Sequence, residues 1–251
     1  MSHDDAESLA PRTGAPTYAM LTAEARRQAA LPRPGARSRR EADIRRVPWW
    51  RVRTLRRISG LSILATAVVC TILVLAISGL VAGPSLMPEA LLPLVVSVGL
   101  SLYGAYRLRG GGGATARALA RAACAPGPVS KRYALLYDPP WGGIALLVLF
   151  PAGGSDDGRP EAVLELRPLP QPSHRFLGAR KLPADLPVEP TGNLELHGRT
   201  DESPMGVPWI DGRPYWPKRS YGSDELKKGE GQALMARLLA DAAEDAEAME
   251  S

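Results

Sequence analysis

Apolar residues fall along this chain in three rhythms. The first is continuous: two uncharged runs, Ile58 to Pro88 and Ala90 to Tyr106, lie in the first half. Leu61 to Val81 is mostly Leu, Ile and Val. At about 1.5 Å per residue it extends roughly 31 Å, close to the hydrocarbon thickness of a bilayer. Leu91 to Leu108 contains Pro93 and reaches roughly 27 Å, enough if Arg107 turns its charged end toward the headgroups. Ala82 to Ala90 carries Gly83, Pro84, Pro88 and Glu89. It is too short to cross a bilayer and long enough to reverse the chain. The pattern predicts a two-helix transmembrane hairpin within residues 45–109, its helices over about 58–82 and 90–108.

The second rhythm alternates, as half-buried strands do. Lys131 to Asp138, Gly143 to Phe150, Ala162 to Leu169 and Leu194 to His197 read as strands, with Ile144 to Phe150 apolar enough to be buried on both faces. Val207 to Trp216 holds Asp211-Gly212, the strongest hairpin signal in the chain, because both turn positions need positive φ. Residues 129–221 are therefore expected to form a compact β-rich barrel or sandwich. Residues 170–193 are too long for an ordinary loop and are expected either to hold a strand or to form a flap. The third rhythm is helical: within the acidic terminal segment 222–251, Met235, Leu239, Ala242, Ala246 and Met249 share a face, joined by Leu234 and Leu238. The expected class is an α+β membrane protein: a transmembrane hairpin, then a small cytoplasmic β domain and a C-terminal helix.

Between these units the signals are weaker. Residues 1–44, rich in Pro, Gly and Ala with scattered apolar side chains, are expected to be a disordered tail, although Leu21 to Ala30 has helix-forming composition. Residues 110–128 open with Gly110 to Gly113, read as a hinge, and continue with a short helix from Thr115 to Ala125. That helix puts Arg117 and Arg121 on one face.

Charge sets the orientation. The net charge of +5 conceals a basic stretch from Arg26 to Arg57 and an acidic one from Ser223 to Ser251. Arginines crowd both outer flanks of the hairpin and the connecting loop has no Lys or Arg, so both termini are expected on the cytoplasmic side of a bacterial plasma membrane. Trp49 and Trp50, followed by Arg51, Arg53, Arg56 and Arg57, with Arg107 and Arg109 on the second helix, form the expected membrane-interface collar. Its cations are already required by topology, so nucleic acid is not the expected partner. Gly79, Gly83, Ser97 and Ser101 have the small-residue spacing of helix packing. Cys70 and Cys124 imply no disulfide framework.

Candidate chemistry is sparse. His3, His174 and His197 are dispersed, no Cys or His pair has metal-ligand spacing, and the glycine run lacks the Lys-Ser or Lys-Thr of a phosphate loop. No catalytic, cofactor-binding or metal-ligating residue is assigned, and no cofactor is expected. Asp156 and Asp157 read as a turn. Asp138, His174, His197 and Asp211 would make a site only if the fold brought them together. The hairpin has no charged residue in its apolar runs, which argues against a transport path.

The Ala, Arg, Gly and Pro bias and this layout resemble the uncharacterised integral membrane proteins of high-GC actinobacteria. By fold analogy the layout is also similar to membrane proteins of the NfeD type, in which a small cytoplasmic β-barrel follows the helices. That likeness implies scaffolding of membrane partners. The leading expectation is a non-enzymatic membrane-anchored adaptor with the bilayer and either a protein partner or a second copy as its contacts. The alternative is a membrane-tethered enzyme acting through the β domain.

Overall fold

Gly60 stops the helix that leads into the first apolar run. A computed structural model describes residues 16–30, 41–82, 88–138, 143–168, 186, 188–198 and 206–250 of the chain. Within it, a 3₁₀ turn at Trp49–Arg51 precedes α2 (Arg53–Ser59), which ends where Gly60 adopts φ +83°. A Cβ at Gly60 would also sit 2.8 Å from Arg107 Cβ, so both conformation and space require glycine. The long helices are α3 (Leu61–Ala82) and α4 (Pro88–Arg109). The first thus begins three residues later than its apolar run, at the break. Both are long and apolar enough to cross a membrane, over Leu61–Gly79 and Leu91–Arg109.

Gly110 to Gly113, read from sequence as a hinge, is instead a packed corner. Gly110 is extended and caps α5 (Gly111–Ala123). A Cβ on Gly113 would stand 1.8 Å from Leu108 O, and one on Gly112 would stand 2.6 Å from Ile58 O. These glycines allow three backbones to touch; they do not mark freedom of movement.

The β domain is one antiparallel sheet in the order β6-β5-β4-β1-β2-β3-β7. Its strands are β1 (Val129–Asp138), β2 (Ile144–Pro151), β3 (Ala162–Leu166), β4 (Thr191–His197), β5 (Val207–Ile210), β6 (Arg213–Pro214) and β7 (Pro217–Gly222). In a flat sheet β6 and β7 would stand roughly 29 Å apart at about 4.8 Å per strand. Only Tyr215 and Trp216 separate those strands along the chain, a reach of at most about 11 Å. The sheet must therefore curl, and Tyr215 N–H donates to Pro208 O at the corner. The result is a curled half-barrel, neither the closed barrel nor the two-sheet sandwich expected, since no β6–β7 pairing occurs. The β5–β6 turn has Asp211 at φ 51° and Gly212 at φ 70°, as the Asp-Gly signal requires. Strand β7 was not anticipated; its Pro217 and two cations suit a sheet edge.

Both faces of the sheet are buried, which explains the unbroken apolar run of β2. One face gathers Tyr133, Leu135, Leu147, Leu149, Leu164 and Ile210. Burial raises the Tyr133 phenol to about 12, with the charge of Asp211 adding to it. Burial likewise raises Tyr215 to about 12 against the opposing charge of Arg213. The other face, including Leu136, Val148 and Phe150, is covered by two helices: α1 (Tyr18–Ala30) through Leu21 and Ala25, and α7 (Gly229–Glu250) through Met235 and Leu238. A short α6 (Ser223–Leu226) precedes α7, and Arg237 Nε donates to Asp138 at 3.0 Å.

Helix α1 corrects the disordered-tail reading for residues 18–30; residues 1–15 and 31–40 lie outside the described residues. The loop carbonyls of Gly158 and Asp156 accept from Tyr18 N–H and Ala19 N–H, capping the helix start. Gln28, fully buried, accepts from Tyr137 N–H at 2.8 Å and donates to Glu24 at 2.8 Å. A helix with few large aliphatic residues is held by polar pairing that satisfies β1 beyond the end of β4.

Candidate functional site

The base of the helical hairpin is where the two halves of the chain meet. Val52, just before α2, and Leu55 and Ile58 within it pack with Ala116, Leu119 and Ala123 of α5, and this cluster continues into Trp209 of β5 and Trp216 at the sheet corner. The apolar face of α5 is thus spent on protein, leaving Arg117 and Arg121 exposed on its opposite side.

Glu41 locks this junction. One carboxylate oxygen accepts from Thr54 N–H at 2.7 Å and Thr54 Oγ1 at 2.6 Å, and the other accepts from Trp216 Nε1 at 2.7 Å. An anion is thereby held at the first turn of α2, where the helix dipole favours it. The same side chain reaches the sheet corner, 175 residues away. Nearby, the Arg45 guanidinium lies 3.8 Å over the Trp209 ring. His197 lies 2.9 Å from Ala125 O through Nδ1; a carbonyl only accepts, so Nδ1 carries the proton. Trp209 Nε1 is buried and has no partner among the described residues.

Of the expected collar, Trp49 and Trp50 meet edge to face at 5.9 Å, with Trp50 50% exposed. Arg51, Arg56, Arg57 and Arg109 are exposed and Arg53 is half-buried. Arg107 turns inward and donates to Ile58 O at 3.2 Å, tying the end of α4 to α2. Among the packing candidates, Ser97 is buried and accepts from Thr71 Oγ1 across the hairpin at 3.0 Å. Ser101 bonds back to Ser97 O within its own helix. A Cβ on Gly79 would meet nothing within 4 Å, and Gly83 lies outside the described residues. The close backbone approach is at Gly104, where a Cβ would stand 2.7 Å from Leu64 N. Its signal was the spacing of two helical turns from Ser97.

A groove of about 640 Å³ opens beside this base. Ile44, Val47, Trp49 and Ala120 supply apolar walls, and Arg117 and Arg121 stand at its rim. Neither arginine has an ion-pair partner among the described residues, and no acidic residue lines the groove. The two acids of the adjoining segment are engaged elsewhere: Asp43 with Arg46 and Glu41 with Thr54 and Trp216.

The dispersed polar residues do not converge. Val129, at the far end of β1 from Asp138, pairs with Leu196 beside His197. Ten residues of β1 at about 3.3 Å each place Asp138 and His197 roughly 30 Å apart. Asp211 is an exposed turn residue, and His174 lies outside the described residues. Among the described residues there is no cluster of His, Cys, Asp or Glu able to hold a metal ion. Glu41 was missed from sequence. Its signal was that it and Asp43 are isolated acids inside an arginine-rich stretch. No protein-family profile matches the chain, and no curated protein or solved structure is significantly similar to it.

Proposed function

We propose that this protein is a non-enzymatic adaptor anchored in a bacterial plasma membrane by the α3–α4 hairpin. Both termini lie in the cytoplasm, and the curled sheet is presented at the inner leaflet to a protein partner. The observation that carries the membrane part is the outer surface of the hairpin. Val69, Ile72, Leu92, Val95 and Leu102 are each more than half exposed, an apolar expanse that water penalises and lipid accepts. The observation behind the adaptor part is the shared core of α2, α5, Trp209 and Trp216. A tethered domain on a loose linker samples all orientations, whereas a domain packed on its anchor keeps one face toward the bilayer.

Reporter fusions test the arrangement. Fusions near Arg40 and after Ser251 are expected to report cytoplasm, and one at Ser85 the outside. A periplasmic C-terminus would remove the adaptor reading. Crosslinking in native membranes, followed by affinity capture, is expected to recover a stable protein neighbour whose yield falls when the sheet surface is altered.

A further inference from the structure

We propose that the groove between α5 and the Ile44–Trp49 segment binds the phosphate of an anionic phospholipid, with Arg117 and Arg121 as its ligands and the apolar walls receiving the glycerol-proximal part of the lipid. This rests on the membrane-anchored reading above.

The charge and shape of the groove point to such a ligand. Arg117 and Arg121 are one helical turn apart, so their side chains lie about 5–6 Å apart at Cβ and can converge on a single phosphate. A guanidinium offers a planar fork that pairs with two phosphate oxygens. With no carboxylate lining the groove, nothing in it competes for those donors. A soluble anion such as inorganic phosphate would use the two arginines and leave the partly buried Val47, Trp49 and Ala120 unused. A lipid uses both halves, because its charged phosphate adjoins an apolar body.

Depth agrees with a lipid source. Arg117 follows Arg109, the end of α4, by 8 residues. With up to about 3.8 Å for each of the two steps across the extended Gly110 and about 1.5 Å per residue along α5, it lies at most roughly 17 Å from the hairpin end, and any tilt of α5 shortens its depth. The headgroup layer adds roughly 5–8 Å beyond the hydrocarbon on each side, and a long arginine side chain spans the remainder. Trp49 contributes an amphipathic ring of the kind that favours this layer.

The test uses the full chain in nanodiscs of mixed phosphatidylcholine and phosphatidylglycerol, with the lipid retained after detergent extraction measured by native mass spectrometry. The wild type is expected to retain phosphatidylglycerol in excess of its share. Arg117→Gln with Arg121→Gln is expected to lower that excess by roughly tenfold. The pair Arg159→Gln with Lys228→Gln, exposed cations outside both the groove and the collar, removes the same charge and is expected to leave most of it. Arg117→Lys with Arg121→Lys, a charge-conserving pair that guards against misfolding of the Gln variant, is expected to fall between wild type and Gln. Equal retention by wild type and the Gln pair would overturn the proposal, as would equal losses from the two Gln pairs. Displacement of the lipid by excess inorganic phosphate would assign the site to a soluble anion and overturn the lipid assignment. Alkaline carbonate extraction separates the two readings. Release of the protein from membranes defeats the membrane reading itself. A carbonate-resistant protein whose retained lipid ignores Arg117 and Arg121 defeats this inference alone.

Discussion

A single carboxylate, that of Glu41, joins the start of α2 to the corner of the sheet. Removing it leaves Trp216 Nε1, on a residue only 2% exposed, and Thr54 without their acceptor. Losing the partner of a buried donor costs about 1–3 kcal/mol. Glu41→Ala is therefore expected to destabilise the protein by about that amount, and Glu41→Gln by less, since the amide oxygen still accepts. Denaturant unfolding of the purified full chain, followed by Trp fluorescence, checks this; a Glu41→Ala midpoint equal to the wild type would show that the contacts are incidental. Tyr133 and Tyr215 act at the same scale through pH. Both are nearly inaccessible, and their phenols are raised from 10.0 to about 12. A raised acid favours its protonated form, so the stability these groups contribute is complete below pH 10. Above that the unfolded chain ionises first, and stability falls through the window up to about pH 12. Tyr133→Phe with Tyr215→Phe is expected to flatten this alkaline loss. An unchanged slope between pH 10 and 12 in thermal melts would count against it.

At the scale of elements, the turn at Asp211-Gly212 sets the β5–β6 register. Space around Gly212 is open, since a Cβ there would meet nothing within 4 Å, but its φ of +70° strains any other residue. Gly212→Val is expected to cost about 1–3 kcal/mol in the full chain, whereas Asp156→Ala and Asp157→Ala should change little. The Asp156 carbonyl that caps α1 is backbone and survives the substitution. If melting temperatures showed the reverse order, the β2–β3 loop would be the structural one. These elements also show what a sequence makes legible. The two long apolar helices, β1, β2 and the Asp-Gly hairpin were readable because their signals are local: continuous apolarity, alternation, and turn positions demanding positive φ. Helix α1 was legible only as helix-forming composition; its docking on the sheet was not, because Gln28 matters only once Tyr137 N–H is left open by the end of β4. The glycine corner at Gly110–Gly113 was misread for the same reason, since a run of glycines looks identical whether it bends freely or admits a neighbouring backbone. The groove was half legible: the i, i+4 arginines were visible in α5, but its other wall comes from residues about 70 positions earlier.

Over the whole molecule, the decisive question is whether the hairpin and the sheet move as one body. They are joined covalently by the short segment after Cys124 and non-covalently by the core that unites α2, α5 and β5. If the core governs orientation, breaking it should free the sheet while leaving the hairpin in the bilayer, because the outward apolar surfaces of α3 and α4 contribute nothing to that core. Leu119→Asp is the direct way to do this. Leu119 is 3% exposed, and an unpaired carboxylate buried there costs several kcal/mol, more than such an interface tolerates. The Leu119→Asp protein is expected to stay carbonate-resistant in inverted vesicles, while cleavage in the Cys124–Val129 segment by added protease accelerates at least several-fold over wild type. Leu119→Ala, which trims the contact without adding charge, should give a smaller acceleration of the same kind. Were the segment cut equally fast in all three proteins, the sheet would already be swinging freely, and a fixed face toward the membrane could not be the basis of its role. Were Leu119→Asp instead extracted by carbonate, the core would be holding the hairpin in place as well, and the independence of anchor and sheet assumed here would fail.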